Sequence, residues 1–369
     1  MQALTEWVAI HIFGYTRPLA SVSNTGETVF FWVQTCWILA AAILGTIAWS
    51  ALDRRRENYE TLHKWFRLFI RLALAASMFE YGMTKVIPVQ FARPTLNTLV
   101  TPVGNLSISN LLWTSIGAAP AYEIFTGGAE MLGGILLLVP RSTTLGAMIC
   151  LADMTQVFVL NMTYDIGLKQ ISFHLILLSV FLLAPEWSRL RNFFFFPDRN
   201  VGPSMQHQWN RIAVIIQVVF GIYLIGIQTL ANWNYWHVVG DRSPRSPLYG
   251  IWNVEALSID GESRPPFLSD YDRQWRRVIF DSPNAIAFQR LDDSFARYTA
   301  SIDIYDNTIA LSRPNSRWKS NFSYQRPTPD HLVLDGEMDG YKINLQLELV
   351  DFDTFRLLNS GFRWIRPDE

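Results

Sequence analysis

The sequence predicts an α+β membrane protein: a polytopic bundle of about six spanning helices, followed by a soluble antiparallel β-barrel. Three observations predict it. Half of the 369 residues are hydrophobic and only 17% are charged, against about 25% charged in ordinary soluble domains. Nearly all the long apolar runs fall before residue 237. From Asp241 onward the chain is polar, with Pro, Asp and Arg throughout, and its apolar residues recur at period two. Residues 1–237 are therefore read as the bundle and residues 238–369 as the barrel.

The elements follow in order. Leu4–Tyr15 is apolar but shorter than the ~20 residues a spanning helix needs, which predicts an interfacial or half-inserted helix. The first 20 residues lack a basic start and contain Glu6, His11 and Arg17, so no cleavable signal peptide is expected. Six stretches are long enough to span: Val29–Leu52, His63–Ile87, Ala118–Pro140, Thr144–Met162, Gly167–Leu183 and Trp209–Ala231. The fourth and fifth are short and carry polar residues, which suits a packed bundle better than exposure to lipid. The connection Pro88–Ala119 is long for a bundle. With Pro94, Pro102, Gly104 and an apolar patch at Leu111–Trp113, it reads as a lid or re-entrant segment, or as an ordinary surface loop.

Trp233–Asn234–Tyr235–Trp236 reads as an aromatic belt at a membrane surface. Beyond it, runs such as Ser301–Tyr305, His331–Leu334 and Lys342–Val350 alternate apolar with polar. Turn chemistry separates them at Ser282–Pro283–Asn284, at Asp306–Asn307 and from Gly336 to Gly340. About eight or nine short strands in ~120 residues predict an antiparallel barrel or sandwich.

Basic residues orient the bundle. Arg54, Arg55, Arg56 and Lys64 lie between the first and second spans, Arg141 between the third and fourth, and Arg189, Arg191, Arg199 and Arg211 between the fifth and sixth. The opposite loops carry only Arg17, Lys85, Arg93 and Lys169. That asymmetry predicts extracytoplasmic termini and an extracytoplasmic barrel. The Phe193–Phe196 run is expected in the inner headgroup layer, with Arg67 and Arg71 as interfacial anchors. A formal net charge of −1 suggests no nucleic-acid partner. The two cysteines, Cys36 and Cys150, lie in separate apolar runs without a C-x-x-C motif. Dithiol chemistry, a zinc ribbon, iron–sulfur or haem ligation and any metal site are therefore not expected.

Polar residues inside the spans are the lead to function, because a charge near the bilayer centre costs ~2.5 kcal/mol or more. Lys85 falls near the end of the second span, with Tyr81 one turn deeper and Glu80 beside it. Glu123 and Glu130 share one face of the third span, seven residues apart. Asp153 and Asn161 lie in the fourth, Tyr164 and Asp165 just beyond it, and Lys169, Gln170 and His174 at the start of the fifth. All map to the outer half of the bundle. Gly127, Gly128, Gly133 and Gly134 around Glu130 place it where helices approach closely. The pattern predicts a Lys85–Glu130 pair with His174, Asn161 and Asp165 nearby. The plainer alternative is an ion pair that fixes packing, with Lys85, Asp165 and Lys169 reaching the headgroups and Asp153 satisfied by Thr155 or Gln156.

Tyr81–Gly82–Met83–Thr84–Lys85–Val86–Ile87–Pro88, Phe125–Thr126–Gly127–Gly128–Ala129–Glu130–Met131–Leu132–Gly133–Gly134, Leu160–Asn161–Met162–Thr163–Tyr164–Asp165, Lys169 and the His174–Pro185 run resemble the DoxX family of bacterial membrane proteins. The likeness is greatest to long members with a C-terminal soluble domain, and it covers most of residues 25–195. It implies association with quinone-linked oxidoreductase systems; the four-helix core is also similar to receptor-assembly chaperones. Gly250–Ile251–Trp252 resembles the G-x-W start of lipocalin-like barrels, in which an Arg near the chain end, here Arg363 or Arg366, would stack on the Trp. The barrel is expected to be filled or narrow.

Two functions compete. In the first, an oxidoreductase-associated subunit binds a quinone-like or other lipophilic small molecule. Glu130, His174 and Lys85 carry the chemistry, and Tyr81, Glu123, Asp153, Asn161, Tyr164, Asp165 and Lys169 line the site. In the second, a non-enzymatic envelope protein uses the barrel to capture a protein partner or membrane lipid. A transporter ranks third, since no inverted repeat or broken-helix pair is evident.

Overall fold

The computed structural model describes residues 1–16, 19, 27–54, 58–195, 211–264, 274–314, 316–359 and 364–365. Arg17, Arg55, Arg56, Phe196, Arg199, Trp209, Arg363 and Arg366, which enter the sequence reading, lie outside these residues. The chain divides into two compact units. One comprises Met1–Ile87 and Ala121–Trp233; the other comprises Pro88–Pro120 and Asn234–Glu369.

The helices are α1 (Gln2–His11), α2 (Val29–Leu52), α3 (Glu60–Val86), α4 (Leu96–Leu99), α5 (Ile108–Gly117), α6 (Pro120–Leu138), α7 (Thr143–Thr163), α8 (Lys169–Leu183), α9 (Trp187–Phe195) and α10 (Arg211–Val238). Among the described residues, five stretches are long and apolar enough to cross a membrane: Val29–Leu52, Pro120–Leu138, Thr143–Thr163, Lys169–Phe195 and Val214–Val238. The protein is thus a multi-pass membrane protein. Helix α3 is long enough, at 27 residues, but Glu60, Lys64, Arg67, Arg71, Glu80 and Lys85 make it the most polar of the long helices. Its place in the bundle comes from packing. Ile70, Leu74, Ala75, Met78 and Phe79 are buried in one cluster with Leu137 and Leu138 of α6, Ala147, Cys150 and Met154 of α7, and Leu175 and Leu182 of α8.

Helix α1 is ten residues long, too short to span. It lies on α2, where Val8 and Ala9 meet Val33 and the Trp37 indole N–H donates to Thr5 Oγ1 at 3.0 Å. Apolar side chains also cover the outside of the bundle: Leu39, Leu44 and Ile47 on α2 and Ile216, Val219 and Ile222 on α10 are exposed. An apolar exterior of this kind suits lipid as its solvent.

The second unit contains the strands β1 (Gly250–Ile259), β2 (Glu262–Ser263), β3 (Trp275–Ser282), β4 (Ala285–Arg290), β5 (Phe295–Asp303), β6 (Thr308–Ser312), β7 (Lys319–Thr328), β8 (His331–Met338) and β9 (Tyr341–Leu349). Each pairs antiparallel with its neighbour in the order β2-β1-β3-β4-β5-β6-β7-β8-β9, and β1 pairs back to β9 from Trp252↔Leu349 to Ile259↔Ile343. Eight strands therefore close into a barrel, and the two-residue β2 folds back antiparallel on the end of β1, Ser258↔Ser263 and Ile259↔Glu262. The β1–β9 pairing removes the two long edges that these eight strands would leave as an open sheet. A short helix, α11 (Arg356–Asn359), follows.

Turn chemistry sets the register. Asp260–Gly261 and Asp339–Gly340 take positive φ at both positions, +53°/+84° and +54°/+82°. Two-residue hairpins require this, and glycine supplies the second position without strain. The β8–β9 turn is therefore tighter than the sequence suggested. Gly336 lies within β8, pairing with Phe322 and Ile343, and the strand continues to Met338. At the β5–β6 turn the strand stops at Asp303 instead of Tyr305, because Asp303 Oδ1 accepts from the backbone N–H groups of Tyr305 and Asp306.

Alternation divides the barrel side chains into two layers. Trp252, Phe280, Phe288, Ile309, Leu311, Phe322, Leu334 and Leu345 fill the interior cluster. Trp252 is fully buried; its indole N–H donates to Leu248 O at 3.0 Å, and the guanidinium of Arg326 on β7 lies 5.6 Å from its ring centroid. An Arg thus stacks on this Trp from within the strand set. On the opposite face of β1, β3 and β4, Ile251, Ile279 and Ala287 are also buried. They pack with Leu96, Leu99 and Val100 of the 88–120 connection and with Phe352 and Phe355. Gln289 Nε2 donates to Val100 O at 3.1 Å, and Arg93 pairs with Asp241 at 2.8 Å. The long connection, read from sequence as a lid or re-entrant segment or as an ordinary surface loop, is part of the barrel unit and covers three of its strands.

Candidate functional site

Glycines build the site by letting helices touch backbone to backbone. A Cβ added to Gly127 would lie 2.6 Å from Gly82 O and 2.6 Å from Lys85 Cβ. Helices α3 and α6 therefore meet without intervening side chains at this level. That contact sets Lys85 beside Glu130. The ammonium Nζ donates to Glu130 Oε1 at 2.5 Å, with the two side chains only 8% and 1% exposed.

Helices α6 and α7 meet in the same manner. A Cβ on Gly133 would lie 2.8 Å from Cys150 Sγ, and one on Gly146 would lie 2.7 Å from Leu137 N. The pairs 133/150 and 137/146 belong to one antiparallel register. One turn further along, that register puts Asp153 level with Glu130. Asp153 interacts electrostatically with both Glu130 and Lys85, Cys150 with Asp153 and Glu130, and Tyr81 with Glu130. Three helices thus bring one ammonium, two carboxyls, a phenol and a thiol together inside the bundle.

The hydrogen bonding of this cluster is incomplete. Glu130 Oε2 and Asp153 Oδ2 are buried without a hydrogen-bond partner among the described residues. Neither neighbour expected to satisfy Asp153 does so; Thr155 donates to Leu151 O of its own helix at 2.6 Å. A buried polar atom left unpaired costs ~1–3 kcal/mol, so both oxygens have free capacity to accept. An ammonium carries three N–H donors, and Glu130 takes one.

The remaining residues separate into distinct places. Glu123 is fully buried, as its shared face with Glu130 predicts. Asn161 is buried, but its amide is used structurally. Nδ2 donates to Leu168 O at 3.1 Å and to Ser172 Oγ at 3.2 Å, which fastens the turn between α7 and α8. Tyr164 follows at that turn, half-buried. Asp165 is exposed, takes φ +53° and pairs with Lys169 at 2.7 Å. This local pair holds the Asp165 carboxyl below the usual carboxylate range, chiefly through the Lys169 hydrogen bond.

His174 departs from expectation. It sits on the exposed face of α8, and its Nδ1 lies 2.7 Å from Gln170 O of its own helix. The reason is helical phase: Ser172 and Leu175 take the buried face, leaving position 174 turned outward. Its neighbour Gln170 instead bridges to α2, with its backbone N–H donating to Glu27 Oε1 and its amide to Thr35 Oγ1. The expected grouping of His174, Asn161 and Asp165 around Lys85 and Glu130 is not formed.

A second buried network was missed from sequence. Arg71, expected as an interfacial anchor, is buried; it donates to Thr143 Oγ1 at 3.4 Å and to Gln217 Oε1, tying α3 to α7 and α10. Arg67 reaches Leu182 O at 3.3 Å. The available signal was Gln217, a lone amide in the apolar run Ile212–Ile225. Among the described residues no group of three His, Cys, Asp or Glu could hold a metal ion.

Compared with known proteins, the chain is 34% identical over 139 residues to the uncharacterized protein YwoB of Bacillus subtilis (strain 168), across 38% of this chain and 84% of that protein. The chain belongs to the YwoB family. Membership brings no activity with it, since that relative is uncharacterized. No family model matches the chain. No solved structure matches it.

Proposed function

We propose that the helical bundle binds a lipophilic small molecule with a polar head, of the quinone type, at Lys85, Glu130 and Asp153, in a redox-associated process in a bacterial cytoplasmic membrane. The observation that carries this reading is the pair of unpartnered buried carboxyl oxygens beside a lysine. Lys85 would donate to a carbonyl or anionic oxygen of the head group. Glu130 and Asp153 would accept from its hydroxyls or move its protons, with Tyr81 and Cys150 as neighbours. His174 has no part in this arrangement. The barrel interior holds Trp252, Phe280 and Phe288, which favours the bundle over the barrel as the lipophilic site.

The barrel belongs outside the cytoplasm in this reading. Arg54 and Lys64 between α2 and α3, Arg141 between α6 and α7, and Arg189 and Arg191 in α9 all lie on one side of the bundle's connectivity. The 88–120 connection and the barrel would lie on the other, and their packing in one unit supports a shared side.

The test is binding of a short-chain benzoquinone to the full chain in lipid nanodiscs, followed by intrinsic tryptophan fluorescence. Saturable quenching is expected for the wild type and for His174→Ala. At least a tenfold loss of affinity (~1.4 kcal/mol) is expected for Glu130→Gln and for Asp153→Asn. Equal affinity in all four proteins would exclude this site.

A further inference from the structure

The 88–120 connection has two apolar faces, and the barrel uses one. Leu96, Leu99 and Val100 cover β1, β3 and β4. Val103, Ile108 and Leu111 are exposed, although Leu112 and Ile116 of the same α5 helix are buried. Ile108 and Leu111 lie three residues apart and so share a helix face, with Asn110 well around from it.

Covalent tethers limit where this face can be. Two residues, Ala118 and Ala119, separate Gly117, the end of α5, from the first residue of the spanning helix α6, Pro120, and the three residue steps reach at most ~10 Å. The other end of the connection is fastened too. A Cβ on Gly117 would lie 2.2 Å from Ala92 O, and Trp113 packs on Phe91 with ring centroids 4.5 Å apart. Phe91 and Ala92 follow closely on the end of α3 at Val86. Helix α5 is thus held, through its own packing, to chain within a few residues of two helices of the bundle. The headgroup layer on each side of a bilayer is ~5–7 Å thick, comparable with that reach.

We infer that Val103, Ile108 and Leu111 form a membrane-surface anchor, immersed at the boundary between headgroups and acyl chains of the bilayer that α6 crosses. Its occupant is lipid. Apolar exposure over a helix face and a short tether to a spanning segment both favour that solvent over water. This inference does not depend on what the bundle binds.

The experiment is spin labelling of the full chain in lipid nanodiscs. The background is Cys36→Ser; Cys150 is fully buried and stays in place. Single cysteines replace Ile108, Leu111 and, as a control, Asn110. The ratio of collision with oxygen to collision with a water-soluble nickel chelate is measured at each. Ratios several-fold higher at 108 and 111 than at 110 are expected. Equal ratios at the three sites would place this face in water and overturn the anchor. Labels at 108 and 111 that are immobile and reached by neither reagent would show the face covered by protein, such as a second copy, and would overturn lipid as the occupant.

Discussion

Replacing Lys85 by Met should destabilise the bundle strongly at neutral pH and weakly in acid. The side chains are nearly isosteric, so the helix contact at Gly82 and Gly127 is retained while the donor to Glu130 is lost. Removing one partner of a buried ion pair costs about 3–5 kcal/mol. The carboxyl left behind can escape by taking up a proton. Starting from an ordinary glutamate pKa of about 4.3, holding it neutral costs about 3.7 kcal/mol at pH 7 and about 1 kcal/mol at pH 5. The penalty should therefore shrink by about 2.7 kcal/mol between those two conditions. Replacing both partners, Lys85→Met with Glu130→Leu, should recover most of the stability, because a well-packed apolar pair is often neutral or better. The assay is reversible unfolding in mixed micelles at pH 5 and pH 7. A Lys85→Met penalty below about 1 kcal/mol at pH 7 would refute the account. So would a penalty that is the same at both pH values, since the proton could then not be relieving a stranded charge.

Three further outcomes are expected. Gly127→Ala should cost about 1–3 kcal/mol in the same assay, since its Cβ meets backbone and Lys85 Cβ at 2.6 Å, whereas Gly128→Ala, with nothing within 4 Å, should be neutral or gain up to about 1 kcal/mol. Trp252→Ala should lower barrel stability by about 3–5 kcal/mol in chemical denaturation, because the indole is fully buried and hydrogen-bonded. His331 is raised above its ordinary 6.5, first by its hydrogen bond to Asp330 and then by Asp330, Glu255 and Glu348 charges, so its contribution is complete below pH 6.5 and is lost as pH rises through the higher folded value. Hydrogen bonds from Thr328 and then His331 hold Asp330 down to about 2, so its contribution is present above 3.8 and is lost as pH falls through about 2. His331→Gln should remove the alkaline decline when barrel unfolding is followed against pH.

Much of the architecture was legible because each part obeys one dominant rule. Apolar length marked Val29–Leu52 to the residue. Period-two alternation and turn residues such as Asp306–Asn307 marked the barrel. In the site, Lys85 and Glu130 were found because a charge in lipid-buried sequence demands a partner, and the glycines beside Glu130 showed where helices close. His174 and Arg71 were misread for one shared reason. Linear order gives a residue's depth in a span but leaves its azimuth to the helix phase. Ser172 and Leu175 claim the inner face of α8 and expel His174, while Thr143 and Gln217 offer Arg71 an interior it could not otherwise occupy. The role of the 88–120 connection was not legible for a different cause. Its partners Ile251, Ile279 and Ala287 lie in strands distant in sequence, and nothing in a loop announces which sheet it will cover.

That cover imposes an order on biosynthesis. The ribosome makes residues 88–120 long before it makes β1, β3 and β4, so the surface on which those strands dock exists before the strands that it covers. The barrel also cannot close until β9, near the end of synthesis, reaches β1. A chain in which residues 88–120 fail to fold would carry a barrel with a bare apolar strip at Ile251, Ile279 and Ala287, the kind of exposed surface that makes folding intermediates prone to aggregate. Correct folding of a segment made early thus conditions completion of a barrel made late.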